Sequence, residues 1–356
     1  MARRILNSCI AAVLMVMAAR CVSAGQEQQQ GAAGCASCHS AQTRTQPRTS
    51  MGRALQPAGA NPVLEAHPKL TLQKNGYSYV VETKNGQSTY SVSDATRTIT
   101  LPIRWSFGNR AQTWVFERNG VYYESLVSYY PDAGGLGTTI GDSEIIPKSL
   151  EEAVARRLSP NEPVACFGCH STNAVQDGQW VTPDSLEAGV TCEHCHAGAN
   201  AHMFAANSGD AQESAPPDLR KLTSEDLSNF CGQCHRSWEK VIRGPWRGEL
   251  DVRFQPYRLA GSKCFSGTDA RISCIACHDP HRDLITDLAA YDSKCLACHK
   301  LKGAASVAKE ATAPACPVQD KDCANCHMPE VKLADGLARF RDHRIRIAKP
   351  GMAYPD

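Results

Sequence analysis

The 356-residue chain contains no run of 18 or more apolar residues, and its mean hydropathy is −0.36, which argues against a polytopic membrane protein. It has no block of like charge. Its 38 basic and 36 acidic residues leave a formal charge of +2, and no basic stretch is long enough to suggest nucleic acid. Aromatic residues are only 6%, so large rings are scarce as core material. Twenty-six glycines and 20 prolines are ordinary usage, which excludes a collagen-like or low-complexity chain. The excess is in two residue types, with 18 cysteines and 12 histidines. Cysteine at about 5% falls short of a small disulfide scaffold yet is high for a cytosolic enzyme.

Residues 1–24 read as a secretory signal: Arg3 and Arg4 at the start, an apolar stretch from Ile10 to Ala19, and Val22-Ser23-Ala24 as a small-residue cleavage site. An uncleaved anchor is the alternative, although the stretch is too short to span a bilayer alone. A lipoprotein cysteine at Cys21 is disfavoured because Arg20 stands where a small residue is needed. Cleavage removes three arginines, taking the formal charge to −1, and removes Cys9 and Cys21, leaving 16 cysteines. The mature chain is therefore expected in the periplasm or at the cell exterior, touching a membrane only peripherally. In such oxidising surroundings cysteines pair or are covalently capped.

Fourteen of those cysteines fall in one pattern, Cys-x-x-Cys-His. It occurs as Cys35/Cys38/His39, Cys166/Cys169/His170, Cys192/Cys195/His196, Cys231/Cys234/His235, Cys274/Cys277/His278, Cys295/Cys298/His299 and Cys323/Cys326/His327. Two thiols separated by two residues can form thioethers to the two vinyl groups on one edge of a porphyrin. The residue that follows then lies under the iron as its proximal ligand. A zinc knuckle does not demand histidine directly after the second cysteine, and a thioredoxin-like motif comes singly in a βαβ setting. Seven covalent c-type haems are the reading.

Seven histidines are thus proximal, and five remain: His67, His194, His202, His281 and His343. A second histidine on every iron would need seven, so at least two irons lack a distal histidine from this chain. His202 lies six residues beyond His196. His281 follows the proline turn of His278-Asp279-Pro280-His281, and Asp342 stands beside His343 as an outer-shell partner. His67 precedes Pro68 in an extended segment. These four are candidate distal ligands, each with an ordinary packed or surface histidine as its alternative. His194, inside a Cys-x-x-Cys pair, cannot easily reach over its own haem. Met51 is a further candidate, or else a core side chain, since methionine can be an axial ligand and raises the potential.

The motif starts leave 131 residues between the first and the second, then six motifs in one dense block. The long gap is strand-like: residues 76–83, 87–93, 96–103, 112–118 and 121–130 are rich in Thr, Val, Tyr and Trp, with Asn85-Gly86 and Asn119-Gly120 as turns. Trp105, Trp114, Tyr122 and Tyr123 fit its core. Residues 149–158 predict a short helix, and 222–231 and 234–242 two more, with Thr223 or Ser224 as a cap. The expected division is a signal at 1–24, a first haem segment at 25–68, a haem-free β-rich insert of about five antiparallel strands at 69–147, and a six-haem domain at 148–356. The last should be mostly irregular and α: short helices and loops around stacked haems. Cys264 and Cys316 are left over, and a disulfide between them is the simplest outcome, against two free thiols or an intermolecular bridge.

With CEHCHAGANAH at 192–202, CIACHDPH at 274–281 and CANCHMP at 323–329 followed by Asp342-His343-Arg344, the chain resembles multihaem c-type cytochromes of the superfamily that includes the tetrahaem cytochrome of nitrifiers. The resemblance covers about residues 25–68 and 148–356. It implies a haem-binding electron carrier with His202, His281 and His343 as distal ligands. Pentahaem nitrite reductases carry a Cys-x-x-Cys-Lys motif, which this chain lacks. The expected function is electron hopping between redox partners, a quinol oxidoreductase or other cytochromes, without catalysis. An oxidoreductase acting on a small nitrogen or sulfur oxyanion at an open iron is the alternative. So is an extracellular haem filament or docking subunit.

Overall fold

The computed structural model describes residues 34–176, 179–180, 186–210, 214–244, 248–299, 316–333, 336–349, 352 and 354, so the expected signal at 1–24 lies outside the described residues. The chain divides into two compact units: Met1–Thr45 with Thr191–Pro217, and Gln46–Val190 with Asp218–Asp356. Among the described residues no helix is long and apolar enough to cross a membrane.

The smaller unit is helical, with described helices at Ser40–Thr45, Cys192–Cys195 and Ala199–Asn207. The Met203 thioether lies against Gly34, where an added Cβ would meet its Sδ at 2.1 Å and the flexible side chain would have to shift.

Helices and several antiparallel sheets make up the larger unit. Its strands are β1 (Leu55–Pro57), β2 (Lys69–Lys74), β3 (Tyr77–Lys84), β4 (Gln87–Ser93), β5 (Thr98–Pro102), β6 (Trp105–Phe107), β7 (Thr113–Arg118), β8 (Val121–Ser125), β9 (Val127–Tyr130), β10 (Gly135–Thr138) and β11 (Ala155–Arg157). Strands β2 to β5 form a meander, a second sheet has the order β1-β6-β7-β8-β11, and β9 pairs with β10. Asn75-Gly76, Asn85-Gly86 and Asn119-Gly120 close three hairpins, with Asn at φ 52 and Gly at φ 75 to 82, the left-handed pair that two-residue hairpins need.

The expectation of about five strands at 69–147 is corrected to nine, β2 to β10. One expected strand, 121–130, is two. Ser125 Oγ accepts from the Trp114 N–H (3.1 Å) and donates to Val127 O (2.8 Å), turning the chain at Leu126 from one sheet to the next. The sheets also reach beyond 69–147, because β1 and β11 pair with β6 and β8. The predicted helix at 149–158 stops at Val154. Ser149 caps it, and Ala155–Arg157 is then claimed by the sheet.

Fully buried Tyr90 and Trp114 centre the main core, with Tyr90 stacked on Phe116 at 5.3 Å and donating to Val154 O at 3.0 Å. Such ring pairs add about 0.5–1.5 kcal/mol beyond burial. Of the other aromatics expected inside, Trp105 and Tyr122 are half-buried and pack on a second cluster of Leu55, Phe107, Val115, Leu158 and Phe167. Phe167 belongs to the helix Asn161–His170 and meets Phe107 edge-on at 4.9 Å, so this cluster fixes the second motif on the sheet. Tyr130, Val252, Leu333 and Ala338 form a third cluster that anchors the hairpin Glu330–Leu333/Ala338–Arg341. Thr223 caps one long helix, Ser224–His235, which breaks at Arg236 (φ 62); Ser237 caps the next, Trp238–Arg243.

Arg156 on β11 reaches three carboxylates: Glu124, Glu162 at 2.8 Å and Asp142 at 3.5 Å. One guanidinium cannot neutralise all three. Burial, reinforced by the Glu124 charge, raises the Asp142 carboxyl to about 6. The folded state then holds a proton that the unfolded chain gives up, so this group lowers stability as pH rises from about 4 to about 6. Asp142→Asn should therefore be more stable than the native chain at pH 7 and lose that advantage by pH 4, as read from denaturation midpoints.

Candidate haem centres

Each Cys-x-x-Cys-His run coils into one helical turn. His39, His196, His278 and His299 donate their backbone N–H to the carbonyl of the first cysteine four residues back, at 2.8 to 3.0 Å. Motifs two, four and seven end or form the helices Asn161–His170, Ser224–His235 and Cys323–His327. Positions i, i+3 and i+4 share one helix face, so both thiols and the imidazole point to the same side. That is the arrangement that two thioethers and one axial ligand require.

Several of these imidazoles are oriented from behind. Nδ1 of His170 donates to Ala54 O (2.9 Å), that of His327 to Arg346 O (3.0 Å) and that of His343 to Arg341 O (3.0 Å). A carbonyl only accepts, so Nδ1 carries the proton and Nε2 keeps the lone pair a metal needs. His278 Nδ1 faces Tyr291 Oη at 3.4 Å. Burial lowers the pKa of His170, His235 and His278 and pushes His343 down to about 4, so these rings are neutral at pH 7.

Two pairs of rings face each other. His39 and His202 lie 6.5 Å apart between ring centroids, and His278 and His343 lie 6.2 Å apart. Two metal–imidazole bonds of about 2 Å, with about 1.1 Å from each bonding nitrogen to its ring centre, need about 6.2 Å. The spacing fits a single iron between each pair. Thiols also meet across motifs: Cys35 with Cys192, Cys169 with Cys234, Cys231 with Cys274, and Cys295 with Cys323 are in side-chain hydrogen-bond contact, while Cys277 and Cys295 are electrostatic neighbours. Burial pushes the Cys166 and Cys323 thiols up to about 12. Among the described residues no three His, Cys, Asp or Glu side chains converge as a metal cluster would.

The fourteen motif cysteines are not equally enclosed. Cys38 and Cys326, the second cysteines of the first and last motifs, are exposed, as is Cys277, whereas Cys35 and Cys323 are half-buried. Each exposure has a local cause. Cys38 leads into the helix Ser40–Thr45, which buries no residue, and its Sγ takes a contact from the neighbouring Ser37 hydroxyl at 3.8 Å. In the helix Cys323–His327 it is Ala324 that turns inward, and a residue two further on falls on the opposite side. That places Cys326 outward, with its carbonyl accepting from the Ala348 N–H at 3.2 Å.

The other candidates lie elsewhere. His67 ends the Asn61-capped helix Pro62–Ala66 and shares a hydrogen bond between its Nε2 and Tyr129 Oη (2.9 Å), so the nitrogen that would ligate is engaged. His281 is half-exposed, with its Nδ1 and backbone N–H on Asp279 Oδ1. Met51 is half-buried and its carbonyl accepts from Val190 N–H (3.1 Å). Burial lowers the pKa of His194. Of the two cysteines outside the motifs, Cys264 is exposed and Cys316 half-buried. Cys264 lies near Cys298, and Cys316 takes hydrogen bonds from the Val318 and Gln319 backbone.

Sequence reasoning had no signal for Arg258, yet it holds the C-terminal histidine in place. Arg258 is 2% exposed and clasps Asp342 through Nε (2.8 Å) and Nη2 (3.0 Å), with Asp251 at 3.2 Å. Tyr354 Oη donates to Asp251, and Arg346 closes on Asp342 from the other side. Burial alone would raise the Asp342 carboxyl; hydrogen bonds from Arg258 and the Arg344 N–H outweigh it and hold it below its ordinary range. Ser262 Oγ fixes His343 O (3.2 Å) and accepts from Ile345 N–H (2.8 Å), so both flanks of His343 are pinned. Arg258→Leu would strand two buried carboxylates. It should cost about 3–5 kcal/mol in chemical denaturation of the haem-loaded protein, with part recovered by adding Asp251→Asn and Asp342→Asn.

A family model described as cytochrome c554 and c-prime matches residues 143–197, which contain the second and third motifs. No curated protein matches the chain. Among solved structures, the crystal structure of the outer cell wall cytochrome OcwA is similar, with a TM-score of 0.52 at 14% identity over 88% of this chain and 79% of that one. That likeness is one of fold. Taken with the seven motifs, these findings support a multihaem c-type cytochrome.

Proposed function

We propose that the protein is an exported heptahaem c-type cytochrome that passes electrons between redox partner proteins, a quinol oxidoreductase or other cytochromes. The observation that carries this reading is the succession of thiol contacts in the larger unit. Motifs two, four, five, six and seven follow one another through Cys169/Cys234, Cys231/Cys274, Cys277/Cys295 and Cys295/Cys323. Motifs one and three form a couple of their own in the smaller unit through Cys35/Cys192. Bound haem supplies an iron that alternates between ferric and ferrous states. The protein contributes attachment, spacing and orientation. The cysteine pairs prevent loss of the cofactor outside the cell, and the contacts between motifs bring attachment edges together. The exposed Cys38 and Cys326 give the first and last motifs an attachment edge that faces water, where a partner can approach.

Under this reading His39 and His202 hold one iron and His278 and His343 another. The Nδ1 donors set the imidazole tautomer, and burial tunes the potentials. The expected series 2-4-5-6-7 skips motif three, although that motif lies between two and four in sequence. The paired substitution Cys231→Ala with Cys234→Ala tests it. The haem count should fall by one and no more, and intramolecular equilibration after rapid photoreduction should slow by orders of magnitude. An unchanged rate at one haem fewer would remove motif four from the route.

A further inference from the structure

Both arms of the Arg156 fork are occupied. Its Nη2 donates to Glu124 and its Nη1 to Glu162 Oε1 at 2.8 Å. Only Nε is left for Asp142, and its 3.5 Å from Oδ1 is too long for a hydrogen bond. Glu162 has a second donor in the Ser159 N–H at 2.7 Å. Asp142 has no such help among the described residues: its Oδ2 is buried without a hydrogen-bond partner, and its side chain is only 9% exposed. Of the three carboxylates it is the one whose charge is least answered. A buried carboxylate in that position lowers its cost by holding a proton. Its carboxyl is raised to about 6, by burial first and by the Glu124 charge second.

This cluster stands beside the second motif. Glu162 lies in the first turn of the helix Asn161–His170, four residues before Cys166. Positions i and i+4 share a helix face, so Glu162 and the first thiol of the motif are neighbours. Glu124 on β8 and Arg156 on β11 are direct partners across the sheet. Asp142 comes from the loop after β10, where its N–H donates to Thr139 O at 3.0 Å. Glu124, Arg156 and Glu162 are the charged groups that face it. The Arg156 and Glu162 side chains are 32% and 40% exposed, so the rim of the cluster meets water and a proton has a short way to Asp142.

We propose that Asp142 is a redox-linked proton acceptor for the second motif. It takes one proton from solvent when the iron held there gains one electron from a redox partner, and returns it when the electron leaves. This proposal rests on the haem reading above. The added electron makes the surroundings more negative and strengthens the hold of the carboxylate on its proton. By reciprocity, a proton on Asp142 favours the ferrous state. The midpoint of that haem therefore falls as pH rises from about 6, where Asp142 begins to lose its proton, and the contribution of this group is flat on either side of its titration.

The test is a paramagnetic-resonance-monitored redox titration of the haem-loaded protein and its Asp142→Asn variant between about pH 5 and about pH 8, with haem quantified in each. In the native protein the midpoint of one haem falls across that range by a three- to tenfold change in its reduction equilibrium, about 28 to 59 mV for one electron. Asparagine does not ionise, so Asp142→Asn holds that midpoint at its acid-side value throughout. The paired substitution Cys166→Ala with Cys169→Ala removes one haem and the pH-dependent midpoint together. Reduced-minus-oxidised infrared spectra of the native protein read the proton itself: a carboxylic-acid carbonyl band grows on reduction, and Asp142→Asn lacks it. An undiminished pH dependence in Asp142→Asn at full haem content would assign the effect to haem propionates and overturn the proton site while leaving the haem reading intact. A native midpoint that ignores pH, with no carboxylic-acid band, would do the same. Absence of haem from the second motif of the native protein would overturn both.

Discussion

Everything in this molecule depends on one helical turn, in which two cysteines three apart and a histidine one further on share a face. The backbone hydrogen bond from the histidine N–H to the first cysteine carbonyl fixes that face. Much of the remaining architecture holds such turns at set positions. Phe107 packs the helix Asn161–His170 onto the sheet, and Thr223 caps the helix that ends at His235. Asp292 accepts from the backbone N–H of Asp322 and Cys323 and seats the last motif. Among the described residues the side-chain core is concentrated in the sheets, while the motif-bearing segments bury few apolar side chains of their own. Such segments are expected to fold with their cofactor, not ahead of it.

Buried charge is the second organising feature. The Arg258–Asp342–Asp251 group contributes little net stability as such, since desolvating its members is costly, but removing one member exposes that full penalty. Its value is positional. It fixes the strand exit that carries His343 to 6.2 Å from His278.

The motifs themselves were fully legible in the sequence, because the chemistry lies in the spacing of adjacent residues. Their surroundings were not: nothing in the spacing separates Cys38 and Cys326, which face water, from the half-buried Cys35 and Cys323. His202 and His343 were legible as candidates, and the structure puts each opposite a motif histidine. His67 and Met51 were equally plausible by residue type. What the sequence could not convey is that Tyr129, 62 residues away, takes up the His67 ring. The β-rich character of the long gap was visible from its alternation and Asn-Gly turns, but not the division into separate sheets, which turns on Ser125 bonding across Leu126. Likewise no local pattern marks Arg258, since its role exists only once Asp251 and Asp342 arrive from distant parts of the chain.

The central claim is that all seven turns carry covalent haem. Intact-mass spectrometry of the exported, purified protein under denaturing conditions tests it most directly, since thioether-linked haem survives unfolding and adds its full mass, whereas zinc is lost and a disulfide changes the mass by only two hydrogens. The account predicts the mature chain plus seven haem masses as the dominant species. A chain mass without haem, or with a stable complement well below seven, would contradict it.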